Sequence, residues 1–246
     1  MPTHWEPLGR DLRVLVNETH RFNTDTLLLA DFSLPRPGWR CADLGTGCGV
    51  IPLLWCARGR PASVLAVELQ PEAVRLAEDS ASENSLAEII TVQQGDLRNY
   101  KNCLPHQALD LAACNPPYFS PGSGLIPQEA ERGLARHGGT LSLAELAQAA
   151  RYSLKTGGRI CLCLPARRLA EAVVVLHQHE LEPKRLRLVQ ARPEKAPYLF
   201  LMECRRGGGP GLEVETPLVL ETEAGDLSAE MVRIYGDYLE GGGANA

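Results

Sequence analysis

Long apolar runs are missing from this chain: no stretch of its 246 residues approaches the roughly 20 consecutive apolar positions that a membrane-spanning helix requires. The opening Met1-Pro2-Thr3-His4-Trp5-Glu6 also lacks the basic-then-apolar layout of a secretory signal. The expectation is a cytoplasmic protein with no membrane association. Cys-x-x-Cys pairs are absent, although eight cysteines are scattered at positions 41, 48, 56, 103, 114, 161, 163 and 204. In a long chain without a secretory signal they do not suggest a disulfide framework, and His177 and His179 have no companions at zinc-ligand spacing. Cys161 and Cys163 alternate within an apolar run, and Cys41 and Cys114 lie at the ends of others. Free cysteine behaves in such places as a small hydrophobe, so reduced core thiols and no structural metal are expected. Internal repeats are lacking too, and 44% hydrophobic with 22% charged residues excludes a disordered or collagen-like chain.

A positive net charge is the remaining absence: the chain carries −5, which argues against a nucleic-acid partner until the charge is split along the sequence. From Arg132 to Arg206, 14 Lys and Arg face 6 Asp and Glu, a net of +8, so the remainder carries −13. A phosphate backbone responds to local potential rather than to net charge, so a surface fed by this segment suits RNA or DNA. An ordinary solvated surface is the other reading.

What is present is an alternation of short apolar runs with helical patterns. Arg40–Leu44, Ser63–Glu68, Ile89–Gln93, Leu109–Cys114 and Gly158–Leu164 read as strands, which predicts a mostly parallel α/β sheet. Pro71 suits a first helical turn, with Ala73, Leu76 and Ala77 on one buried face. Ser142-x-x-Glu145 reads as a capping box opening a helix that ends near Thr156-Gly157-Gly158. Lys184–Gln190 and Pro197–Cys204 are candidates for a late antiparallel hairpin. Residues 115–140 form a long proline- and glycine-rich loop of the kind that carries function, and Gly207 to Gly211 form a hinge before a last strand and a short helix.

Asp43-Leu44-Gly45-Thr46-Gly47-Cys48-Gly49 sits between a strand and a helix, where glycines let the backbone approach a ligand closely. Val50 stands where a dinucleotide fingerprint has its third glycine, and no Walker lysine follows, so NAD and nucleoside triphosphates are disfavoured. An acidic residue followed by Gly-x-Gly-x-Gly resembles the first motif of AdoMet-dependent methyltransferases. Glu68, at the tip of the next strand, is placed to accept both ribose hydroxyls. Gln94-Gly95-Asp96 after the third strand resembles the place where such enzymes meet the adenine amino group of the cofactor, which makes Asp96 the candidate for it.

Asn115-Pro116-Pro117-Tyr118 follows the fourth strand, at the carboxyl end where open α/β sheets bind ligands. An exocyclic amino or amide nitrogen is a poor nucleophile because its lone pair is delocalised. The Asn115 side-chain carbonyl and the Pro116 backbone carbonyl can accept its two hydrogens and favour a pyramidal nitrogen, while the prolines keep these acceptors preorganised. Tyr118, with Pro117 and Phe119 beside it, offers a stacking surface for a planar target.

With these motifs the chain resembles class I methyltransferases of amino nitrogens. Arg21-Phe22-Asn23-Thr24-Asp25-Thr26-Leu27-Leu28-Leu29-Ala30, Ala135-Arg136-His137 and Ile234-Tyr235 are similar to the bacterial family that methylates the exocyclic nitrogen of an adenine beside the anticodon of a valine tRNA. The resemblance implies a Rossmann-like, mostly parallel seven-stranded sheet with helices on both faces and a late antiparallel hairpin. It further implies an N-terminal segment 1–39 packed on the core, a methyltransferase domain 40–206 and an extension 207–246 of the same domain. Asn115, Pro116 and Tyr118 would act on the target. Thr24, Asp25, Asp43, Gly45, Gly47, Gly49, Glu68, Asp96 and Asn115 would hold S-adenosyl-L-methionine (AdoMet), and Pro117, Tyr118, Phe119, Arg136 and His137 would meet a tRNA substrate. Three rivals stay open: a protein glutamine N(5)-methyltransferase, an adenine methyltransferase of rRNA or DNA, and a non-catalytic RNA-binding module. The short stretch before the glycine turn and the basic excess after it favour nucleic acid.

Overall fold

The structure, a computed structural model, describes residues 2–9, 11–116 and 141–238. At the N-terminus β1 (Thr3–Pro7) and β2 (Arg13–Asn17) form a separate antiparallel pair. Then come α1 (Thr24–Phe32), β3 (Arg40–Leu44), α2 (Val50–Arg58), β4 (Ser63–Glu68), α3 (Pro71–Glu83), β5 (Ile90–Gln94), a 3-10 turn over Leu97–Asn102 and β6 (Leu109–Cys114). After the loop stand α4 (Leu143–Ser153), β7 (Leu154–Pro165), α5 (Leu169–Gln178), β8 (Leu181–Gln190) and β9 (Leu199–Arg206). Two short strands, β10 (Glu213–Val214) and β11 (Leu218–Val219), lead to α6 (Ala229–Tyr235).

Seven long strands lie in the order β5-β4-β3-β6-β7-β9-β8. From β5 to β7 all neighbours are parallel, and β9 runs antiparallel to both β7 and β8. The mostly parallel sheet and late hairpin expected from the sequence are therefore observed. β10 and β11 extend it, each adding two residues in parallel to β8.

Successive side chains of a strand point to opposite faces, so each central strand feeds two cores. Cys41, Ala66, Leu111 and Cys161 pack on one face with Leu28, Leu53 and Trp55 of α1 and α2. Ala42, Val67, Ala112 and Ile160 pack on the other with Leu146 and Ala150 of α4 and Leu176 of α5. Burial on both faces explains why these strands read as continuous apolar runs. The cysteines join these cores as free thiols, all buried except the half-buried Cys56.

Local signals hold at most element ends. Pro71 opens α3, which buries Ala73, Leu76 and Ala77 as the pattern requires. Both halves of the capping box form: Ser142 Oγ accepts the Glu145 N–H at 3.2 Å, and Glu145 Oε2 accepts the Ser142 N–H at 2.8 Å. The end of that helix differs from expectation, for α4 stops at Ser153 and Leu154 already pairs with Leu109 in the sheet. Gly157 and Gly158 serve the strand instead. Gly157 takes φ +81°, and a Cβ on Gly158 would lie 2.9 Å from the Lys155 carbonyl and 3.0 Å from that of Leu109. The pair lets β7 bulge where a helix C-cap was expected.

The N-terminal strand pair has no counterpart in the elements read from sequence. It lies on α3, where the Leu15 N–H donates to Ser80 Oγ at 2.9 Å and Asn84 exchanges hydrogen bonds with the backbone of Arg13. Asn17 Nδ2 also donates to Glu72 Oε1 at 2.9 Å. No described helix is long and apolar enough to cross a membrane.

Candidate active site

The chain leaves β3 toward β4 and β5 on one side, while β6 and β7 continue on the other. Such a switch point opens a crevice at the carboxyl ends of the strands. A cleft of about 530 Å³ lies there, walled by Gly45 and Gly47 after β3, Glu68 ending β4, Asp96 after β5, and Asn115 and Pro116 after β6. Residues read from separate sequence motifs thus meet in one place, in a cavity of small-molecule size.

The glycine turn is shaped for an approaching ligand. Gly47 has φ +57°, and nothing lies within 4 Å of where its Cβ would stand. A side chain there would be strained and would enter the cleft. Gly49, at φ +92°, answers a different need: its Cβ would lie 3.3 Å from Ala77 Cβ, so it permits close packing of α2 on α3. Glu68 ties the turn to the next loop. Its Oε2 accepts the Gly47 N–H at 3.0 Å, and its Oε1 accepts those of Leu69 at 2.8 Å and Gln70 at 2.9 Å.

Asp43 is 1% exposed, and neither of its carboxylate oxygens has a hydrogen-bond partner among the described residues; the same holds for the buried Thr46 Oγ1. Burial pushes the Asp43 carboxyl up to about 7, with the nearby Thr46 hydroxyl opposing and the Glu68 carboxylate reinforcing the rise. A carboxyl raised in this way holds its proton in the folded chain while the unfolded chain, titrating near the ordinary value of about 4, has released it. The stability it contributes is complete below that lower value and is lost as pH rises through about 7. Melting curves of the ligand-free protein should therefore fall over this window, and Asp43→Asn should flatten the fall. Parallel pH profiles for the two proteins would contradict the assignment.

Asp96 reaches the cleft with its carboxylate engaged. Arg98 donates to it through Nε at 2.9 Å and Nη2 at 2.7 Å, and the Arg98 N–H caps onto Oδ1 at 2.9 Å. The guanidinium holds the Asp96 carboxyl below the usual carboxylate range. An adenine amino group would share this acceptor with Arg98. At the opposite wall Asn115 Nδ2 donates to Thr26 Oγ1 at 3.1 Å. Thr24 meets Tyr235, their hydroxyls 3.0 Å apart, which ties α1 to α6. Thr24, Asp25, Asp43 and Gly49 are not among the described residues lining the cleft. Pro117, Tyr118, Phe119, Arg136 and His137 lie outside the described residues.

Several lining residues carried no signal in the sequence. His20, Gln70 and Glu171 come from segments without a motif, Arg168 was legible only as part of the basic run, and Leu143 and Leu146 lie in the helix read from its capping box. Nothing short of the fold would have joined them to the site.

The basic segment looks different in three dimensions. Arg185 pairs with Glu203 and Glu215, Arg187 with Glu230, Arg192 with Glu221 and Lys155 with Asp110. Four of these five acids lie outside the segment, so carboxylates from the rest of the chain answer half of its +8 surplus. Arg168, which lines the cleft, pairs with Glu171, whereas Arg167, its neighbour in sequence, is exposed with no partner among the described residues. Of the basic residues that the segment offers to a phosphate backbone, Arg168, Arg185 and Arg187 are thus engaged by carboxylates, and Arg167 is left exposed.

The residues present fit the cofactor expected from the motifs. Once ionised, the buried Asp43, without a partner among the described residues, would suit an ammonium group; Glu68 lines the cleft, where it would meet a ribose, and Gly45 and Gly47 leave open space in the same wall. Comparison with known proteins agrees. Residues 20–178 match the methyltransferase small domain family. A tRNA1(Val) (adenine(37)-N6)-methyltransferase of Tolumonas auensis is 30% identical over 89% of this chain and 89% of its own length. One from Porphyromonas gingivalis is 31% identical over 75% of this chain and 74% of its length. The crystal structure of a predicted O-methyltransferase from Agrobacterium tumefaciens superposes with a TM-score of 0.70 at 19% identity, covering 87% of this chain and 97% of that one, and so shares the fold. The chain belongs to the methyltransferase small domain family, with the tRNA1(Val) (adenine(37)-N6)-methyltransferases as its relatives.

Proposed function

We propose that the protein transfers the AdoMet methyl group to the exocyclic N(6) of an adenine in tRNA, at position 37 beside the anticodon of a valine tRNA. The observation that carries this reading is the meeting of Gly45, Gly47, Glu68 and Asn115 in one cleft at the switch point, in a chain whose relatives bear that name. Asp43 holds the charged methionine end and Glu68 the ribose diol; AdoMet supplies an electrophilic methyl on a sulfonium. Asn115 Oδ1 and the Pro116 carbonyl accept the hydrogens of the target amino group and stabilise the positive charge that grows on its nitrogen. Tyr118 stacks on the base, which must be unpaired or flipped, because a stacked amino group cannot reach the cofactor. Arg167 and Arg136 are the candidate phosphate contacts.

The test is incubation with labelled AdoMet and separate pools of tRNA, ribosomal RNA, DNA and protein. Label is expected in tRNA, as methyladenosine modified on N(6), with transfer weakening as salt rises because phosphate contacts release counterions. Label confined to glutamine side chains of protein would overturn the reading in favour of a protein methyltransferase.

A further inference from the structure

We propose that Thr26, held by Asn23, is a positioning residue that sets which end of the Asn115 amide faces the attacking nitrogen. This rests on the reading of Asn115 as the acceptor for the target amino group. Hydrogen-bond polarity carries the inference. The Thr26 backbone N–H can only donate, and it meets Asn23 at 3.2 Å, so the atom there is the carbonyl oxygen Oδ1. Thr26 Oγ1 lies 3.1 Å from that same oxygen, and between two oxygens the hydroxyl must be the donor. Its single proton is thereby committed. Toward Asn115, 3.1 Å away, Thr26 Oγ1 can then only accept, so Asn115 must present Nδ2 to it. The amide oxygen is thereby kept off Thr26, on a residue that lines the cleft.

A carboxamide has nearly the same shape when its two ends are exchanged. Reversed, it would aim N–H donors at a nitrogen whose own hydrogens need acceptors. Thr26, bonded to the N-cap of α1 and 89 residues from Asn115, removes this ambiguity. Asn23 thus serves both the start of a helix and the polarity of the site.

Thr26→Val keeps the side-chain shape but removes the hydroxyl, and Thr26→Ser keeps the hydroxyl. For Thr26→Val, kcat on tRNA should fall by roughly 5- to 50-fold, as when a polar group is left without its partner. AdoMet affinity by calorimetry should stay near wild type, and Thr26→Ser should recover most of the rate. A role in folding alone would lower the melting temperature without this kcat loss and rescue. A second readout needs no substrate: the Asn115 side-chain amide signals in a proton–nitrogen spectrum should shift and exchange faster with water in Thr26→Val, and return in Thr26→Ser. Unchanged amide signals in Thr26→Val, or a rate loss that serine does not restore, would overturn the inference. A wild-type chain that binds AdoMet yet methylates no tRNA would refute the proposed function instead, and the amide spectrum would still decide whether Thr26 orients Asn115.

Discussion

Asn115→Ala should lower kcat by something on the order of 10²- to 10³-fold while leaving AdoMet affinity close to wild type. The side chain stands at the end of β6 on the cleft wall, and its Nδ2 is anchored on Thr26 Oγ1. An acceptor preorganised there gains strength only as charge develops on the attacking nitrogen, so its loss is felt in the transition state rather than in cofactor binding. Single-turnover methyl transfer and calorimetry on the same preparation separate the two effects. A rise in the apparent Kd for AdoMet that matches the loss of rate would assign Asn115 to the cofactor instead. Tyr118→Ala should act differently, because removing a stacking surface weakens RNA engagement by roughly 1 to 3 kcal/mol per base.

Glu68→Ala should weaken AdoMet binding by on the order of 10²-fold or more, beyond the loss of one charged hydrogen bond to a ribose. The excess comes from the backbone, since the carboxylate accepts the N–H groups of Gly47, Leu69 and Gln70. Truncation leaves three donors without a partner and releases the glycine turn. Glu68→Gln separates the contributions. An amide oxygen can still accept from Leu69 and Gln70, but its NH2 end would face the Gly47 N–H, donor against donor. Affinity of the glutamine variant should fall between those of alanine and wild type. Full retention of AdoMet affinity in either variant would remove Glu68 from the cofactor site.

Much of this site could be read from the chain because its parts are local. Asp43, Gly45, Gly47, Glu68, Asp96 and Asn115 each stand at or just beyond the end of an apolar run, and such runs are recognisable from their neighbours alone. In a parallel sheet every strand end of one kind lies on one edge, so placing these residues at strand ends already brought them to the same side of the molecule. The capping box at Ser142 and Glu145 and the proline opening α3 were legible for the same reason, since each is complete within a few residues.

Other features were decided only by which segments returned to which place. Gly157 and Gly158 look like the end of a helix, yet pairing of Leu154 with Leu109 draws them into a strand bulge. The basic run from Arg132 to Arg206 carries its surplus in sequence, but Asp110, Glu215, Glu221 and Glu230 come from elsewhere to answer half of it. Likewise Asp43 shows no sign in the chain that it is left without a partner, and the bond from Asn115 to Thr26 spans 89 residues. The sequence by itself determined the strand ends, the turn glycines and the acids and amide that follow them, because periodicity and turn chemistry act between near neighbours. Only the tertiary structure decided charge pairing, burial of Asp43 and the polarity of the Asn115 amide, because hydrogen bonds and ion pairs depend on distances in space that strand order, and not spacing along the chain, sets.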